Sequence, residues 1–153
     1  MQVQKKPILV SACLLGIPCR YDGSRIPNQS VRALADRFRL IPVCPEVMGG
    51  LPVPREPMEI QDGRVMSRDG SDKTAAYRKG AYDTLKIARR YGCRAALLKE
   101  RSPSCGRGKI HNGKFDGGMI PGDGITAALL LQNGVAVFGE SRIDELIAFS
   151  EAK

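Results

Sequence analysis

Aromatic residues are scarce in this chain of 153 residues: they make up 5% of it, and tryptophan is absent. A surface that stacks nucleic-acid bases on aromatic rings is therefore poorly supplied. Long apolar runs are absent as well, since none approaches the ~20 residues that a membrane-spanning helix needs. The first apolar segment has no small-residue cleavage site behind it, so it does not resemble a secretory signal. We therefore expect a cytoplasmic protein with no membrane partner.

Histidine and acidic residues are also in short supply. The single histidine is His111, and a hydrolase with a cysteine nucleophile would need a base beside that cysteine, which argues against this class. The chain has 24 Lys and Arg against 16 Asp and Glu, a net charge of +8. This balance favours anionic partners such as nucleic acid. Because the basic residues are dispersed, a solvated basic surface is the alternative.

Segments with strand and helix periodicity alternate along the chain. The predicted elements, in order, are a strand at 7–15, a helix at 31–38, a strand at 39–46, a hairpin at 58–67, a helix at 71–92, a strand at 93–100, a helix at 123–134, a strand at 135–139 and a helix at 141–152. Such alternation predicts an α/β fold with a mainly parallel sheet flanked by helices. We expect one Rossmann-like domain over residues 1–153, with an irregular loop at 101–124.

Three of the five cysteines fall where predicted strands end. Cys13 lies near the end of the first strand, Cys44 at the end of the second, and Cys105 on the loop after the third. Their separations are too long for a local metal-binding motif. In parallel sheets, however, ligands bind at the carboxyl ends of the strands, where these loops gather. We therefore expect the three thiols to converge at a site on that edge.

Several kinds of site are compatible with this pattern. Free cysteine is among the most buried residue types, so all five thiols could be core residues. A zinc site could use the same three cysteines together with His111. A third hypothesis is an iron–sulfur cluster that three thiolates hold, with one iron left open. Cys93 fits a buried core thiol, and Cys19 could line a pocket in a lesser role.

Four blocks of the sequence carry a family resemblance. They are VSACLLGIPCRYDG (10–23), CPEVMGGLPVPREPMEI (44–60), LLKERSPSCG (97–106) and GDGITAALL (122–130). Together they resemble the bacterial thiouracil desulfidase family, and the likeness runs from about residue 7 to 139. The resemblance implies a [4Fe–4S] cluster, with Cys13, Cys44 and Cys105 as its ligands. It also implies a non-redox reaction in which a thiolated pyrimidine becomes the oxo base and sulfide leaves.

That chemistry suggests roles for polar residues near the three cysteines. Replacement of C=S by C=O needs a group that activates water, and we predict Glu46 as general acid and base. The resemblance suggests that Ser102 orients the substrate or relays a proton, although Ser-Pro also favours turns. Asp22, Ser24 and Lys99 are predicted to bind substrate. For Lys99 an exposed salt bridge is the alternative.

Other residues of these blocks are assigned smaller roles. Arg55 and Glu59 are predicted to form a structural pair. His111 and Asn112 stand where the family more usually carries tyrosine and aspartate, which argues against an indispensable role for them. The substrate could be a free nucleobase, a nucleotide or a thiolated tRNA. A zinc-binding or nucleic-acid-binding module without catalysis is the alternative function.

Overall fold

Strands and helices alternate in the computed structural model, which describes residues 4–152. The strands are β1 (Lys6–Ser11), β2 (Phe38–Val43), β3 (Met58–Gln61), β4 (Arg64–Ser67), β5 (Ala95–Leu98), β6 (Lys109–His111), β7 (Met119–Pro121) and β8 (Ala136–Gly139). The α-helices are α1 (Gln29–Arg32), α2 (Pro45–Met48), α3 (Thr74–Tyr91), α4 (Ile125–Gln132) and α5 (Ile143–Ala152). No helix in this part of the chain is long and apolar enough to cross a membrane.

Four strands form one parallel sheet in the order β2-β1-β5-β8. From β1 the chain crosses to β2 on one side, whereas from β5 it crosses to β8 on the other. The topological switch point therefore lies between β1 and β5, where the outgoing loops part and leave a crevice. The predicted α/β class with a mainly parallel sheet flanked by helices is confirmed.

Helices cover both faces of this sheet because its strands are apolar on both sides. Successive residues of β1 point to opposite faces, so Ile8 and Val10 pack in one core and Leu9 in the other. The first core includes Leu146 of α5. The second includes Leu85 of α3 and apolar residues of α4. All of the central strand positions named here are almost fully buried.

The predicted boundaries differ from the structure mainly where strands meet loops. β1 ends at Ser11, and Ala12–Leu15 form a 3-10 turn that Gly16 closes in the left-handed conformation. The predicted helix at 31–38 is instead the short α1 followed by a 3-10 turn, Ala33–Asp36. The segment predicted as an irregular loop, 101–124, contains the antiparallel hairpin β6–β7. These short elements lack enough residues to show a clear periodicity.

Two glycines let α2 lie directly on α3. A Cβ atom on Gly80 of α3 would overlap the carbonyl oxygen of Pro45, and one on Gly49 would overlap the carbonyl oxygen of Ala76. Backbone therefore touches backbone here, which only glycine allows. The contact sets how deeply α2 sits beneath the carboxyl end of β2.

Candidate functional site

A cavity of about 510 Å³ lies at the carboxyl ends of β1, β2 and β5, at the switch point of the sheet. Its volume is in the range of small-molecule sites. The residues that line it come from the loops after these strands, from β3 and α3, and from the β6–β7 hairpin. One wall of the cavity therefore consists of cysteines and charged side chains from the loops after the parallel strands. The β6–β7 hairpin forms a second wall.

Cys13, Cys44 and Cys105 all line this cavity, together with Cys19. Cys13 lies in the turn after β1, Cys44 directly precedes α2, and Cys105 lies on the loop after β5. None of the cysteines forms a disulfide. The expected convergence is therefore present, while the role of these thiols as metal ligands stays a prediction. Cys93 lies elsewhere, in the core beside α3 and α4.

Cys19 connects two of the predicted ligands. Its thiol donates a hydrogen bond to Cys13, which lowers the pKa of Cys13 against the effect of burial. The Cys44 thiol in turn donates to the backbone carbonyl oxygen of Cys19 at 3.7 Å, and hydrogen bonding to Cys19, with burial, raises the pKa of Cys44. Cys19 therefore lies beside both Cys13 and Cys44. Sequence reasoning assigned Cys19 only a lesser role, because its neighbours Arg20 and Tyr21 gave no hint of this contact.

The chemistry of this donor set fits a metal group that carries positive charge. Burial raises the pKa of Cys105 to about 12, and a thiol must lose its proton before it can bind a metal. Thiolates in this cavity therefore need a cation beside them. Sulfur donors select soft, thiophilic metals such as zinc or the iron of iron–sulfur clusters.

The structure offers no support for a single zinc ion at this place. Among residues 4–152, no group of three or more His, Cys, Asp or Glu side chains is arranged to hold one metal ion. His111 lines the same cavity but does not complete such a group with the cysteines. A multi-iron cluster is larger than a single ion and is held by sulfurs that lie further apart. Sulfur donors such as the cysteines of this cavity are the ligand type that an iron–sulfur cluster takes.

Glu46 lies in the cavity wall and forms a buried ion pair with Arg55. A guanidinium nitrogen of Arg55 lies 2.6 Å from Oε1 of Glu46, and Nε donates to the same oxygen at 2.8 Å. Only 6% of the Arg55 side chain and 14% of the Glu46 side chain are exposed. Arg55 also donates to the carbonyl oxygens of Cys19 and Pro52. The predicted pairing of Arg55 with Glu59 is wrong, because Glu46 takes the guanidinium.

Tyr77 of α3 also contacts Glu46. Burial, and then the negative charge of Glu46 beside it, raise the pKa of the Tyr77 hydroxyl. The close contact of α2 with α3 at Gly80 brings the two side chains together, since Tyr77 is one helical turn before Gly80. Helical periodicity placed Tyr77 on a buried face but gave no sign that its hydroxyl reaches the site.

Ser102 and Lys99 both line the cavity, but Ser102 bonds to backbone N–H groups whereas Lys99 pairs with a carboxylate. Ser102 Oγ accepts hydrogen bonds from the backbone N–H groups of Ser104 and Cys105, each at 3.0 Å. Its hydroxyl hydrogen therefore remains available to donate. The ammonium group of Lys99 lies 3.1 Å from the carboxylate of Glu140 and also donates to a backbone oxygen. Lys99 thus forms a salt bridge, in a pair that is mostly buried rather than exposed, and its contact with substrate stays a prediction.

Asp22 and Ser24 are not among the residues that line the cavity. Instead they bond to each other in an exposed turn, where the Ser24 hydroxyl and N–H donate to Asp22 Oδ1 at 2.5 and 3.0 Å. The neighbouring Arg20 and Tyr21 occupy the cavity wall. Proximity in sequence could not show which side chains of this turn face the cavity, and substrate binding by Asp22 and Ser24 stays a prediction.

Comparison with known proteins gives three consistent results. The model of a family described as 2-thiouracil desulfurase matches residues 8–142. Protein YbbK of Bacillus subtilis (strain 168) is 43% identical over 150 residues, which cover 92% of this chain and 99% of that protein. A solved structure titled [4Fe–4S]-dependent thiouracil desulfidase TudS is 46% identical, with a TM-score of 0.92, and covers 97% of this chain and 100% of that one.

The Arg55→Met substitution is expected to destabilise the protein by about 3 kcal/mol, because it leaves the Glu46 carboxylate buried without its partner. Adding Glu46→Gln should restore much of this loss, since the unpaired charge is then removed. The measurement is denaturant unfolding at neutral pH with matched metal content. Arg37→Met is the control, because Arg37 and Glu151 form an exposed pair worth about 1 kcal/mol or less. Equal losses in Arg55→Met and Arg37→Met would contradict the account.

Proposed function

The chain belongs to the 2-thiouracil desulfurase family, and from this membership and the cavity we propose that it removes sulfur from a thiolated pyrimidine such as thiouracil. The observation that carries the proposal is the convergence of Cys13, Cys44 and Cys105 in one cavity at the switch point. The relative TudS is named a [4Fe–4S]-dependent enzyme, and the same cluster would be the cofactor here.

Cys13, Cys44 and Cys105 would hold this cluster, each from a loop that follows a different parallel strand. A bound [4Fe–4S] cluster with three cysteine ligands would supply one thiophilic iron that has no protein ligand. Cys19 would remain a protonated neighbour that donates a hydrogen bond to a ligand sulfur, an interaction that tunes clusters.

The proposed reaction is a hydrolysis and needs no electron donor. Thiouracil and water give uracil and hydrogen sulfide, so the C=S bond is broken, a C=O bond forms, and both protons of water leave with sulfur. The protein must therefore take a proton from water and return protons to the departing group. Because no electrons are exchanged, proton transfer by general acid–base residues is the main chemical task of the protein.

Glu46 would be the base that takes the proton from water. Its ion pair with Arg55 would fix the direction of the carboxylate, and Tyr77 of α3 lines the same cavity beside it. Ser102 would donate its hydroxyl hydrogen to the reacting heterocycle, because two backbone N–H groups already occupy the oxygen as acceptor. Lys99 would contact the substrate through the one N–H of its ammonium group that Glu140 and the Glu100 carbonyl oxygen leave unused.

Alanine at Cys13, Cys44 or Cys105 should abolish the cluster. After anaerobic reconstitution with iron and sulfide, the wild-type protein should be brown with about four irons and four sulfides per chain. The matched control is Cys93→Ala, whose thiol lies in the core away from the cavity and should not affect loading. Colourless wild-type protein that holds zinc or no metal would exclude the proposed cofactor.

Glu46→Gln and Ser102→Ala should each lower kcat for thiouracil by about 10² or more with iron and sulfide content unchanged, as expected for loss of proton transfer. Glu145→Gln and Ser30→Ala are suitable controls, because both residues are exposed and do not line the cavity. Full turnover by either site variant with an intact cluster would remove that residue from the mechanism.

A nucleotide or a thiolated tRNA is the second candidate substrate. Arg20, Arg68 and Arg101 line the cavity, and within residues 4–152 none of them forms a salt bridge with a carboxylate. Guanidinium groups at a cavity wall that no carboxylate neutralises favour a phosphate-bearing substrate. This feature, together with the net charge of +8, is the specific support for an anionic substrate.

Turnover of thiouracil, thiouridine, thiouridine monophosphate and a thiolated tRNA should be compared at low and high salt. We expect kcat/KM to be higher for the monophosphate than for the nucleoside, with a gap that narrows as salt screens the charges. A preference for the tRNA would support the RNA-borne substrate instead. Equal values for all the small molecules would show that the arginines do not bind phosphate.

A further inference from the structure

The β6–β7 hairpin forms a wall of the cavity that the mechanism above does not use. His111, Phe115 and Gly117 of this hairpin line the cavity together with Ser102 and Cys105. Ile110, next to His111, pairs through a parallel β-bridge with Arg101, which directly precedes Ser102. This pairing holds the hairpin beside the loop that carries Ser102 and Cys105. It is also tied to β3, which supplies Glu59 to the same wall. A substrate near Ser102 would therefore face this hairpin.

His111 offers the cavity one defined hydrogen-bond donor. Its Nδ1 atom is buried, and neither ring nitrogen forms a hydrogen bond within the described residues. A proton on Nδ1 would be a buried donor without an acceptor, which is costly. We therefore assign the proton to Nε2, the ring nitrogen that is not buried, on a side chain that lines the cavity. The ring can thus donate to a ligand oxygen.

Phe115 offers the cavity an aromatic ring that is held in an unusual backbone conformation. Its φ of +56° lies in the left-handed region, which is unfavourable for a bulky residue and recurs at functional sites. Its N–H donates to Glu59 at 3.1 Å, and its carbonyl oxygen accepts from Arg68 at 3.3 Å. The Arg68 guanidinium also lies over the Phe115 ring, at 5.4 Å from the centroid.

Glu59 is the anchor that preorganises this wall. Its carboxylate is buried, and Oε1 also accepts the N–H of Gly113 at 2.9 Å. Gly113 has a φ of +88°, and a Cβ atom there would crowd the carbonyl oxygen of Ile60, so the loop lies directly on β3. A buried carboxylate and a close backbone contact therefore hold the segment that carries Phe115.

We propose that His111 and Phe115 form the subsite that recognises the pyrimidine ring. Phe115 packs against a face of the ring, and His111 Nε2 donates a hydrogen bond to the ring carbonyl oxygen that is not replaced in the reaction. This inference rests on the proposed function for its substrate. It gives His111, the residue that the sequence pattern left without a role, a part in substrate specificity rather than in bond breaking.

The first experiment pairs a variant with a substrate analogue. His111→Phe keeps a ring in place but removes the donor, and should raise KM for 2-thiouracil about tenfold with kcat nearly unchanged, as for one lost neutral hydrogen bond. His111→Gln restores a donor and should recover most of the loss. Pyrimidine-2-thione lacks the ring carbonyl, so the wild-type protein should bind it about tenfold more weakly, whereas His111→Phe should bind both compounds alike.

The second experiment concerns the aromatic ring. Phe115→Leu should weaken binding about tenfold through loss of stacking, whereas Phe149→Leu, at an exposed position on α5 away from the cavity, should not. Wild-type KM values in both His111→Phe and Phe115→Leu would overturn the proposal.

Ligand binding separates this inference from the proposed function. Uracil binding to the reconstituted variants is measured by saturation-transfer NMR, alongside their iron content. Failure of the wild-type protein to release sulfide from thiouracil would refute the proposed function. Binding of uracil that is independent of His111 and Phe115, in protein with full iron content and turnover, would refute only the subsite.

Discussion

The buried ion pair between Glu46 and Arg55 connects the parts of the chain that form the cavity. Arg55 donates to the carbonyl oxygen of Cys19, in the loop after β1, while Glu46 belongs to α2, after β2. The backbone N–H of Arg55 also donates to the carbonyl oxygen of Tyr21, in the same loop. A buried pair of this kind is costly to break, because either partner alone would be an uncompensated charge. The pair therefore fixes the relative positions of one cysteine loop and the candidate base.

The cysteines set a complementary electrostatic requirement. Burial opposes ionisation of Cys105, and hydrogen bonding and burial oppose that of Cys44. Arg55 cannot relieve this, since Glu46 already takes its charge. A cationic metal group is therefore what would convert these thiols into ligands. The same enclosure that disfavours bare thiolates would keep a bound cluster and its substrate away from bulk water.

The sequence was sufficient to predict the parallel sheet and the convergence of Cys13, Cys44 and Cys105. Strand periodicity and the rule for carboxyl strand ends do not depend on side-chain detail. The partner of Arg55 could not be predicted in this way, because Glu59 is nearer to it along the chain than Glu46 and only the folded packing selects Glu46. For the same reason the sequence could not show that Arg20 and Tyr21 line the cavity whereas Asp22 and Ser24 do not.

The sequence also could not predict that the β6–β7 hairpin forms a wall of the cavity. Its strands, Lys109–His111 and Met119–Pro121, are too short to show alternation, and the glycines around them resemble an ordinary loop. Only the fold shows that Glu59 of β3 holds Phe115 against the cavity. The cavity therefore combines an edge that topology dictates with a wall that contacts between distant parts of the chain hold, the buried Glu59 carboxylate among them.

The most direct test of hydrolytic desulfuration in this cavity is to follow oxygen and sulfur together. Reconstituted protein is incubated anaerobically with thiouracil in oxygen-18 water, without any reductant. The account predicts uracil that carries the heavy oxygen at the former sulfur position and an equal amount of sulfide. Turnover that requires an electron donor, or uracil without the label, would contradict it.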